Sequence, residues 1–468
     1  MPGWPAIADI AADVNSGKLK AVDLVKQALK AIENNKEFDA IISVLDERAL
    51  ARAEQIDKNP SGRLAGVPFI AKDNFLTLGG KTTAASNILR PFEAPYQSTA
   101  IERLEAEGAI CIAKANLDAF AHGSSTENSD WFTTKNPHDK TRVPGGSSGG
   151  SAASVILDIA PFALGSDTGG SIRQPAGFVG AVGVKPTYGR VSRSGVVAMA
   201  SSTDVIGPLT KTVADAALVL DVMSGKDELD STTIEKQAGS YTDLEFDLNG
   251  KKIGVVKEYM DEGLEPGVKQ RIDEAIEKFK AAGAQVEPVS LPSLPLALAV
   301  YYIVCPAEVS SNLSRYDGQR YGHSAKDAQN LDESYELSRE QGFGAEAKRR
   351  IMIGAYVLSS GYYDAYYKKA QTVRTKIINE FAKAFENYDF LIGPTSPTTA
   401  FKIGEKTDDP LKMYLNDIMT VAANMSGNPA ISVPAGTFDG LPVGLQIIAP
   451  QGADHQMLAM AKAFEELN

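Results

Sequence analysis

Cysteine is scarce in this chain, and its scarcity excludes several architectures. The 468 residues include only two cysteines, Cys111 and Cys305, and both lie in apolar stretches, GAICIAK and YYIVCPAE. A disulfide framework or a thiolate metal site requires more cysteines at closer spacings. We therefore expect two buried, reduced thiols, and we predict no metal site.

Positive charge and long apolar runs are also lacking. The 47 lysines and arginines are outnumbered by 59 aspartates and glutamates, which gives a net charge of -12. Such a surface repels phosphate backbones and anionic lipids unless a local basic patch overrides it. The start of the chain lacks the pattern of a signal peptide, and no uninterrupted apolar run reaches membrane-spanning length. We expect a soluble cytoplasmic protein that binds no membrane and does not bind nucleic acid directly.

What the sequence does contain is a repeated alternation of helical and strand patterns. Residues 14–34 place apolar side chains on one stripe with lysines opposite, which predicts an amphipathic surface helix. The run GVPFIAKDN predicts a buried strand that ends at Lys72 and Asp73. The same rhythm returns in FALGSD, KKIGVVKE, DFLIGP, AISVPAG and VGLQIIAP. This alternation is typical of the α/β class.

Capping-box patterns mark two predicted helix starts. Thr99 with Glu102 begins a helix that Gly108 ends, and a strand follows. Thr212 with Asp215 begins a second helix.

The chain shows no division into separate units. Residues from about 260 to about 385 are mostly helical and rich in tyrosine, which predicts a helical insertion covering the sheet. No repeat, low-complexity tract or long linker interrupts the sequence. We predict one domain over residues 1–468. Its parts are a helical segment to about residue 60, a core over about 61–225, the helical cover over about 260–385, and strands from about 386.

Two glycine-serine runs carry the functional signal. They are VPGGSSGGSAASV, residues 143–155, and GSDTGGSIRQP, residues 165–175. A flexible linker is disfavoured because each run is joined directly to a helical or strand pattern. A phosphate-binding loop is disfavoured because neither run has the required Gly-Lys-Ser/Thr or G-x-G-x-x-G spelling. A nucleophile in a tight turn fits better, since glycines let backbone N–H groups converge on an oxyanion.

A serine nucleophile needs a base, and the sequence offers two kinds. The four histidines, His122, His138, His323 and His455, lie in no motif typical of a Ser-His-Asp site. Histidine is therefore not excluded but has no support. Lys72 ends an apolar strand pattern, and burial there would lower its pKa and leave a neutral amine.

These motifs resemble the amidase signature family. The stretch GGSSGGSAASVILDIAPFALGSDTGGSIRQP, from Gly145 to Pro175, matches its long signature, and AKDN matches its lysine motif. The resemblance implies an α/β fold with a large mixed, twisted sheet covered by helices on both faces. It also implies a Ser-Ser-Lys set, with Ser171 as nucleophile, Ser147 as bridging proton shuttle and Lys72 as base.

The resemblance implies two backbone features as well. One is a cis peptide bond between Gly146 and Ser147. The other is an oxyanion hole made of N–H groups from Thr168, Gly169, Gly170 and Ser171. Without the signature, Ser147 would be interpreted as a helix cap and Lys72 as a solvated surface lysine. Asp167 and Arg173 are expected to brace the loops.

Nearly the whole chain resembles one branch of that family, the glutaminase subunits of tRNA-dependent amidotransferases. The stretches that carry this resemblance include GSSTENS, KRRIMIGAYVLSSGYYDAYYKKAQTVR and DDPLKMYLNDIMTVAANMSGNPA. It implies that Arg350 holds the α-carboxylate of glutamine and Asp417 its α-amino group, with Tyr302 and Ser124 lining the pocket. The alternatives are an exposed helix arginine at Arg350 and a helix cap at Asp417.

The same resemblance implies a division of labour within a heterotrimer. This chain would hydrolyse glutamine without a cofactor, and the ammonia would pass to a second chain, the tRNA-binding partner. That partner would bind ATP, Mg²⁺ and the tRNA, and convert Glu-tRNA(Gln) to Gln-tRNA(Gln). A third chain, the linking partner, would join the two.

A stand-alone amide hydrolase and a catalytically silent scaffold of a tRNA-modifying complex are the alternatives. The sequence departs from the branch near Trp131 and at Ala435. These departures would alter the shape of a pocket or channel.

Overall fold

Eleven strands form a single mixed sheet in the computed structural model, which describes residues 3–236, 239–261 and 263–468. The strands are β1 Ile41–Val44, β2 Pro68–Lys72, β3 Ile110–Ala115, β4 Phe162–Asp167, β5 Val182–Lys185, β6 Val205–Thr210, β7 Lys252–Val256, β8 Gln285–Val289, β9 Phe390–Pro394, β10 Ala430–Phe438 and β11 Leu441–Ile448. Their order in the sheet is β1-β3-β2-β4-β6-β5-β10-β11-β9-β7-β8. Strands β2, β3 and β4 pair in parallel, as do β7, β8 and β9, whereas the pairs between these groups are antiparallel.

Helices cover both faces of this sheet. They are α1 Ile7–Asn15, α2 Ala21–Asn34, α3 Asp46–Lys58, α4 Thr99–Ala106, α5 Gly149–Ile156, α6 Arg173–Val179, α7 Val213–Met223, α8 Pro266–Ala281, α9 Ala297–Asn312, α10 Leu331–Gly342, α11 Ala345–Leu358, α12 Lys369–Ala384, α13 Pro410–Tyr414, α14 Val421–Ser426 and α15 Asp454–Glu466. In β9, Phe390 and Ile392 join the apolar cluster that contains α8 and α15, whereas Leu391 between them joins the cluster of α9 and α12. Successive strand residues point to opposite faces, so two layers of helices enclose the sheet.

The predicted strand ending at Lys72 is confirmed, because all five residues of β2 are buried. The helix predicted over 14–34 is partly wrong. The chain forms α1 and α2 with a break at residues 16–20, where Gly17 adopts a φ of 76°. Glycine takes this left-handed conformation at little cost, and a helix ends there.

One of the two predicted capping boxes is confirmed. The Thr212 hydroxyl accepts the Asp215 N–H at 3.1 Å at the start of α7. The box at Thr99 is wrong, because Ser98 is the N-cap residue of α4 and makes no side-chain capping bond. The Thr99 hydroxyl instead donates to Asp227 at 2.7 Å, so a long-range partner captures the predicted cap.

The helical cover also contains an unpredicted strand. Strand β8 lies at the edge of the sheet, and its sequence QVEPV alternates between exposed and half-buried residues. Proline is tolerated at such an edge because one row of ladder bonds is missing there.

Within the described residues, one helical stretch, Leu294–Arg315, is long and apolar enough to cross a membrane, and half of its apolar window is buried inside the fold. Its residues Val304 and Cys305 lie in the core cluster. Both cysteines are free and buried, as predicted, and burial raises the pKa of each thiol, at Cys111 and at Cys305, to about 12.

Candidate active site

The two glycine-serine runs meet at the carboxyl ends of strands β2 and β4. The first run leads into α5, which begins at Gly149, and the second follows β4, which ends at Asp167. The peptide bond between Gly146 and Ser147 is cis, as predicted. The Ser148 N–H donates to the Ser171 carbonyl at 3.1 Å, so the backbone joins the two runs.

Lys72 reaches into this junction from the end of β2. Its side chain is fully buried, and its Nζ lies 2.7 Å from the Ser147 Oγ and 2.9 Å from the Ser148 Oγ. The Ser166 Oγ at 2.9 Å and the Ser166 carbonyl at 3.3 Å complete its surroundings. Hydroxyl groups therefore surround the amine without a carboxylate in direct contact.

Burial lowers the pKa of Lys72 to about 7, because the surrounding protein disfavours the ammonium form. The carboxylates of Asp118, Asp167 and Asp204 oppose this shift through space. A lysine with such a pKa is largely neutral just above neutral pH, and can accept a proton from the Ser147 hydroxyl that it touches.

Ser171 lies beside this pair with its side chain almost buried, at 8% exposure. In the described part of the chain its hydroxyl makes no hydrogen bond, and no bond links it directly to the Ser147 hydroxyl. The fold thus brings the three predicted residues to one junction and joins Lys72 to Ser147. It leaves the Ser171 hydroxyl free to contact another group.

The loop before Ser171 presents backbone N–H groups, though not all of those predicted. The Gly170 N–H donates to the Asp167 Oδ1 at 2.9 Å, so this donor is engaged, contrary to the prediction for the oxyanion hole. The N–H groups of Thr168, Gly169 and Ser171 make no hydrogen bond within the described residues. These three are the donors that an oxyanion could use.

Glycine is required at the two central positions of this loop. Gly170 has a φ of 140°, and a Cβ there would lie 2.1 Å from the Thr420 Oγ1. A Cβ at Gly169 would lie 2.8 Å from the ring of Tyr301. The loop is thus clamped between α6 and the segments that carry Tyr301 and Thr420.

Asp167 and Arg173 brace the loop, as expected. Both side chains are fully buried, and the guanidinium donates to both carboxylate oxygens, at 2.9 and 3.0 Å. The Asn424 amide also donates to Asp167, at 2.9 Å. Burial alone would raise the pKa of Asp167, but Arg173 overrides it and holds this pKa at about 2. The carboxylate therefore stays ionised and keeps its grip on the loop N–H groups.

The predicted substrate residues form a second cluster joined through Tyr302. Arg350 is buried at 2% exposure, and its Nε donates to the Glu346 Oε1 at 2.9 Å. The Arg350 guanidinium lies 5.3 Å from the centre of the Tyr302 ring, and the Tyr302 hydroxyl donates to the Asp417 Oδ2 at 3.1 Å. The alternative of an exposed helix arginine is wrong for Arg350, whereas Arg349 beside it is 43% exposed.

Asp417 connects this cluster to the nucleophile loop. It ends a short 3-10 turn, Leu415–Asp417, and Thr420 rather than Asp417 is the N-cap residue of α14. The Thr420 hydroxyl lies 2.6 Å from the Gly169 carbonyl and 3.1 Å from the Asp417 carbonyl. Surrounding protein atoms desolvate the half-buried carboxylate and raise the pKa of Asp417 to about 7, although Tyr302 and Arg350 favour its ionised form.

Ser124 lies at the border between the two clusters. Its hydroxyl donates to the Met413 carbonyl at 3.4 Å, and its own carbonyl accepts from the Gln174 amide at 3.2 Å. The Gln174 carbonyl oxygen in turn accepts the Gly146 N–H at 3.0 Å. Ser124 thereby ties the predicted substrate segment to both glycine-serine runs.

A cavity of about 250 Å³ begins beside Lys72's hydroxyl neighbours. Asn74, Ser166 and Thr168 line its inner end, and Met199 and Arg315 lie further along its wall. The Asn74 amide donates to the Ser166 hydroxyl at 3.0 Å. The cavity thus touches the junction of the glycine-serine runs from the side of β6.

The family model described as Amidase matches residues 23–458. The chain belongs to the amidase family. Its fold and sequence both place it there, and it is an amidase-type enzyme.

Relatives of known name are similar over almost their entire length. The A subunit of glutamyl-tRNA(Gln) amidotransferase from Caldanaerobacter subterraneus subsp. tengcongensis is 54% identical over 455 residues, which are 96% of this chain and 93% of that protein. The protein of the same name from Geobacillus stearothermophilus is 52% identical over 451 residues, 95% and 93% of the two chains.

Solved amidase structures superpose on the whole fold. The crystal structure of the protein of that name from Thermotoga maritima is 43% identical, with a TM-score of 0.81, and the match covers 95% of this chain and 91% of that one. A bacterial aryl acylamidase is 26% identical with a TM-score of 0.88, and covers 100% and 96% of the two chains. The sheet and its helical covers are therefore those of the amidase fold.

Several residues of the site could not be found from the sequence. Ser148 and Ser166 contact Lys72, and Asp118 accepts N–H bonds from Thr126 and Asn128 close to the cis peptide. Ser166 had one signal, its position at the end of a predicted strand. Asp118 had none, because its partners lie in an irregular segment.

The two departures from the expected pattern lie away from these contacts. Trp131 stacks on the Arg90 guanidinium at 3.6 Å, and its indole N–H donates to Thr83 at 3.2 Å. Ala435 is buried in β10 within the main core.

Proposed function

We propose that this amidase hydrolyses glutamine as the glutaminase subunit of a tRNA-dependent amidotransferase. The observation that carries the proposal is the buried contact of 2.7 Å between the Lys72 amine and the Ser147 hydroxyl, next to the free hydroxyl of Ser171. The relatives that share more than half of its sequence bear the name of a glutamyl-tRNA(Gln) amidotransferase chain.

In the first half-reaction the Ser171 oxygen attacks the side-chain carbonyl of glutamine. The Ser171 proton passes to Ser147, whose own proton passes to the neutral Lys72 amine. The N–H groups of Thr168, Gly169 and Ser171 stabilise the negative charge that develops on the carbonyl oxygen. The C–N bond then breaks, and the protonated lysine returns a proton to the leaving nitrogen, so ammonia departs and a γ-glutamyl ester remains.

The second half-reaction regenerates the serine. A water molecule attacks the ester carbonyl, and its proton follows the same route to Lys72. The ester bond breaks, Ser171 recovers its proton, and glutamate leaves. The cavity that begins at Ser166 and Thr168 adjoins this site, and its polar inner end suits an ammonia molecule.

The pocket cluster favours an amino acid over a simple amide. A guanidinium can hold a carboxylate and a carboxylate can hold an ammonium, and Arg350 and Asp417 lie on the two sides of Tyr302. A stand-alone hydrolase of small amides would have no need of this buried charge pair. We therefore propose glutamine as the substrate, with Tyr302 and Ser124 lining its pocket.

The remaining chemistry belongs to other chains of a heterotrimer in this proposal. The tRNA-binding partner would bind ATP, Mg²⁺ and Glu-tRNA(Gln), use the ammonia, and form Gln-tRNA(Gln), with the linking partner joining the complex in the cytoplasm. The net charge of -12 supports a tRNA contact made mainly by another chain.

The test is ammonia release from glutamine by the purified chain, alone and together with both partners. We expect glutamate and ammonia in equal amounts, with the full rate only in the complex. A Ser171→Ala variant is the blank. Rapid hydrolysis of simple amides with no turnover of glutamine would favour the stand-alone amidase instead.

A further inference from the structure

His122 is a fully buried histidine that the proposed reaction leaves unused. Its exposure is 0%, and among the residues that the structure describes neither Nδ1 nor Nε2 has a hydrogen-bond partner. A neutral imidazole carries one donor and one acceptor. Buried polar groups without partners are rare and destabilising, so the ring calls for a partner from outside the chain.

The position of His122 gives the place of that partner. It follows the short turn Ala119–Ala121 and precedes Ser124 by two residues. Ser124 bonds to the Met413 carbonyl, and the next residue, Tyr414, stacks on the Tyr302 ring with centres 3.8 Å apart. His122 therefore belongs to the wall that carries the predicted glutamine residues.

The charges around the ring give the chemistry of the partner. Burial, together with the positive charge of Arg350, holds the pKa of His122 well below its usual value, so the imidazole is neutral. The Arg350 Nε is bonded to Glu346 and its Nη1 lies 4.0 Å from the Cys305 sulfur. Its Nη2 makes no hydrogen bond in the described part of the chain. A free guanidinium N–H and an imidazole N–H on the same wall suit a carboxylate.

We propose that the His122 imidazole donates a hydrogen bond to the α-carboxylate of glutamine beside Arg350, and so determines specificity for an α-amino acid. The inference rests on the proposed function. It also fixes the orientation of the substrate. The carboxylate lies toward His122 and Arg350, the ammonium lies toward Asp417, and the side-chain amide extends to Ser171.

The test compares His122→Phe with His122→Gln in the full chain, assembled with both partners. Phenylalanine keeps a flat ring without a donor, whereas glutamine keeps an N–H donor. We expect His122→Phe to raise the KM for glutamine roughly ten- to a hundredfold, the cost of one hydrogen bond to a charged group, with a much smaller change in kcat. His122→Gln should recover part of the affinity. Glutamine binding to the same variants in a Ser171→Ala background, measured by calorimetry, should show the same order.

The matched control is His323→Phe. His323 lies in an exposed segment and its ring bonds to Gln341 at 2.9 Å, so its loss should leave KM unchanged. If His122→Phe does not fold, as judged by thermal unfolding, His122→Met replaces it. A folded donor-free variant with a KM within twofold of the wild type, or with equal losses in KM and kcat that His122→Gln does not reverse, overturns the role of His122. A wild-type complex that releases no ammonia from glutamine refutes the proposed function, and this inference with it.

Discussion

At the scale of single residues, the chemistry depends on a lysine deprived of water. Lys72 has four oxygen contacts from three serines and no carboxylate partner, which is why burial can lower its pKa to about 7. Another buried lysine, Lys185, also has a pKa of about 7, but its Nζ contacts only the Pro186 carbonyl, at 3.1 Å. A lowered pKa is therefore not enough, and the hydroxyl contacts distinguish the candidate base.

Lys72→Arg should abolish glutamine hydrolysis as completely as Lys72→Ala. A guanidinium stays protonated and cannot accept the serine proton, so both variants lose general-base catalysis, which typically contributes roughly 10² to 10⁴ in rate. Ammonia release measures the loss. Lys185→Met, which removes the other buried amine, should retain activity. Near-normal activity of Lys72→Arg would mean that the base is another group.

The pH dependence of kcat/KM follows from two residues of the free enzyme. Lys72 must lose its proton to act as a base, and Asp417 must lose its proton to pair with the α-ammonium group. Since the pKa of Lys72 and the pKa of Asp417 are both about 7, kcat/KM should fall as the pH drops below about 7, more steeply than about tenfold per unit. In Asp417→Asn the fall should become shallower, about tenfold per unit. A wild-type profile that is flat between about pH 5 and pH 8 would contradict both assignments.

Residue-level prediction from the sequence reached the positions that a motif marks. Lys72, Ser147 and Ser171 stand in the signature, and the fold brings them to one junction. The surrounding set is not encoded locally. Ser148 resembles a helix cap in the sequence, and His122 belongs to no motif, so only the folded chain shows what their side chains contact.

At the scale of elements, the nucleophile loop is shaped by what presses against it. Asp167 binds the loop from one side, and Thr420, just before α14, presses on Gly170 from the other. The loop therefore has no room for a side chain at its centre, and its N–H groups are held in place before substrate arrives.

Gly170→Ala should destabilise this loop and abolish ammonia release. Its Cβ would collide with the Thr420 Oγ1, and the φ of 140° is strained for alanine. The double variant Gly170→Ala with Thr420→Ala removes the collision and should recover part of the thermal stability. Gly361→Ala is the control, because it shares a positive φ but has nothing within 4 Å of the added Cβ. Equal unfolding temperatures for Gly170→Ala and Gly361→Ala would show that the close contact has no effect.

Element boundaries were predictable where the cause is local. The Thr212 cap depends on Asp215 three residues away, and the sequence shows both. The Thr99 cap failed because Asp227, distant in sequence, takes its hydroxyl. Strand β8 was missed because an edge strand with one wet face has little apolar pattern to detect.

At the scale of the whole molecule, the site is assembled from parts that lie far apart in sequence and that the sheet brings together. Lys72 comes from β2, Ser171 follows β4, and Arg350 comes from α11, which packs on α9. The α/β class was predictable from the alternation of patterns. The strand order was not, because β10 and β11 insert between β5 and β9, and only long-range pairing decides that.

The last prediction separates the two halves of the proposed activity. In the complex with both partners, Ser171→Ala should form no Gln-tRNA(Gln) from glutamine, because no acyl-enzyme can form and no ammonia is released. With ammonium chloride as the nitrogen donor, the same variant should form Gln-tRNA(Gln) at close to the wild-type rate, because ATP-dependent amidation takes place on the tRNA-binding partner. Labelled tRNA measures both reactions in parallel, and Ser314→Ala, at an exposed serine, should behave as the wild type with either donor. Loss of both reactions in Ser171→Ala would mean that the serine serves the fold or the assembly of the complex rather than the release of ammonia alone.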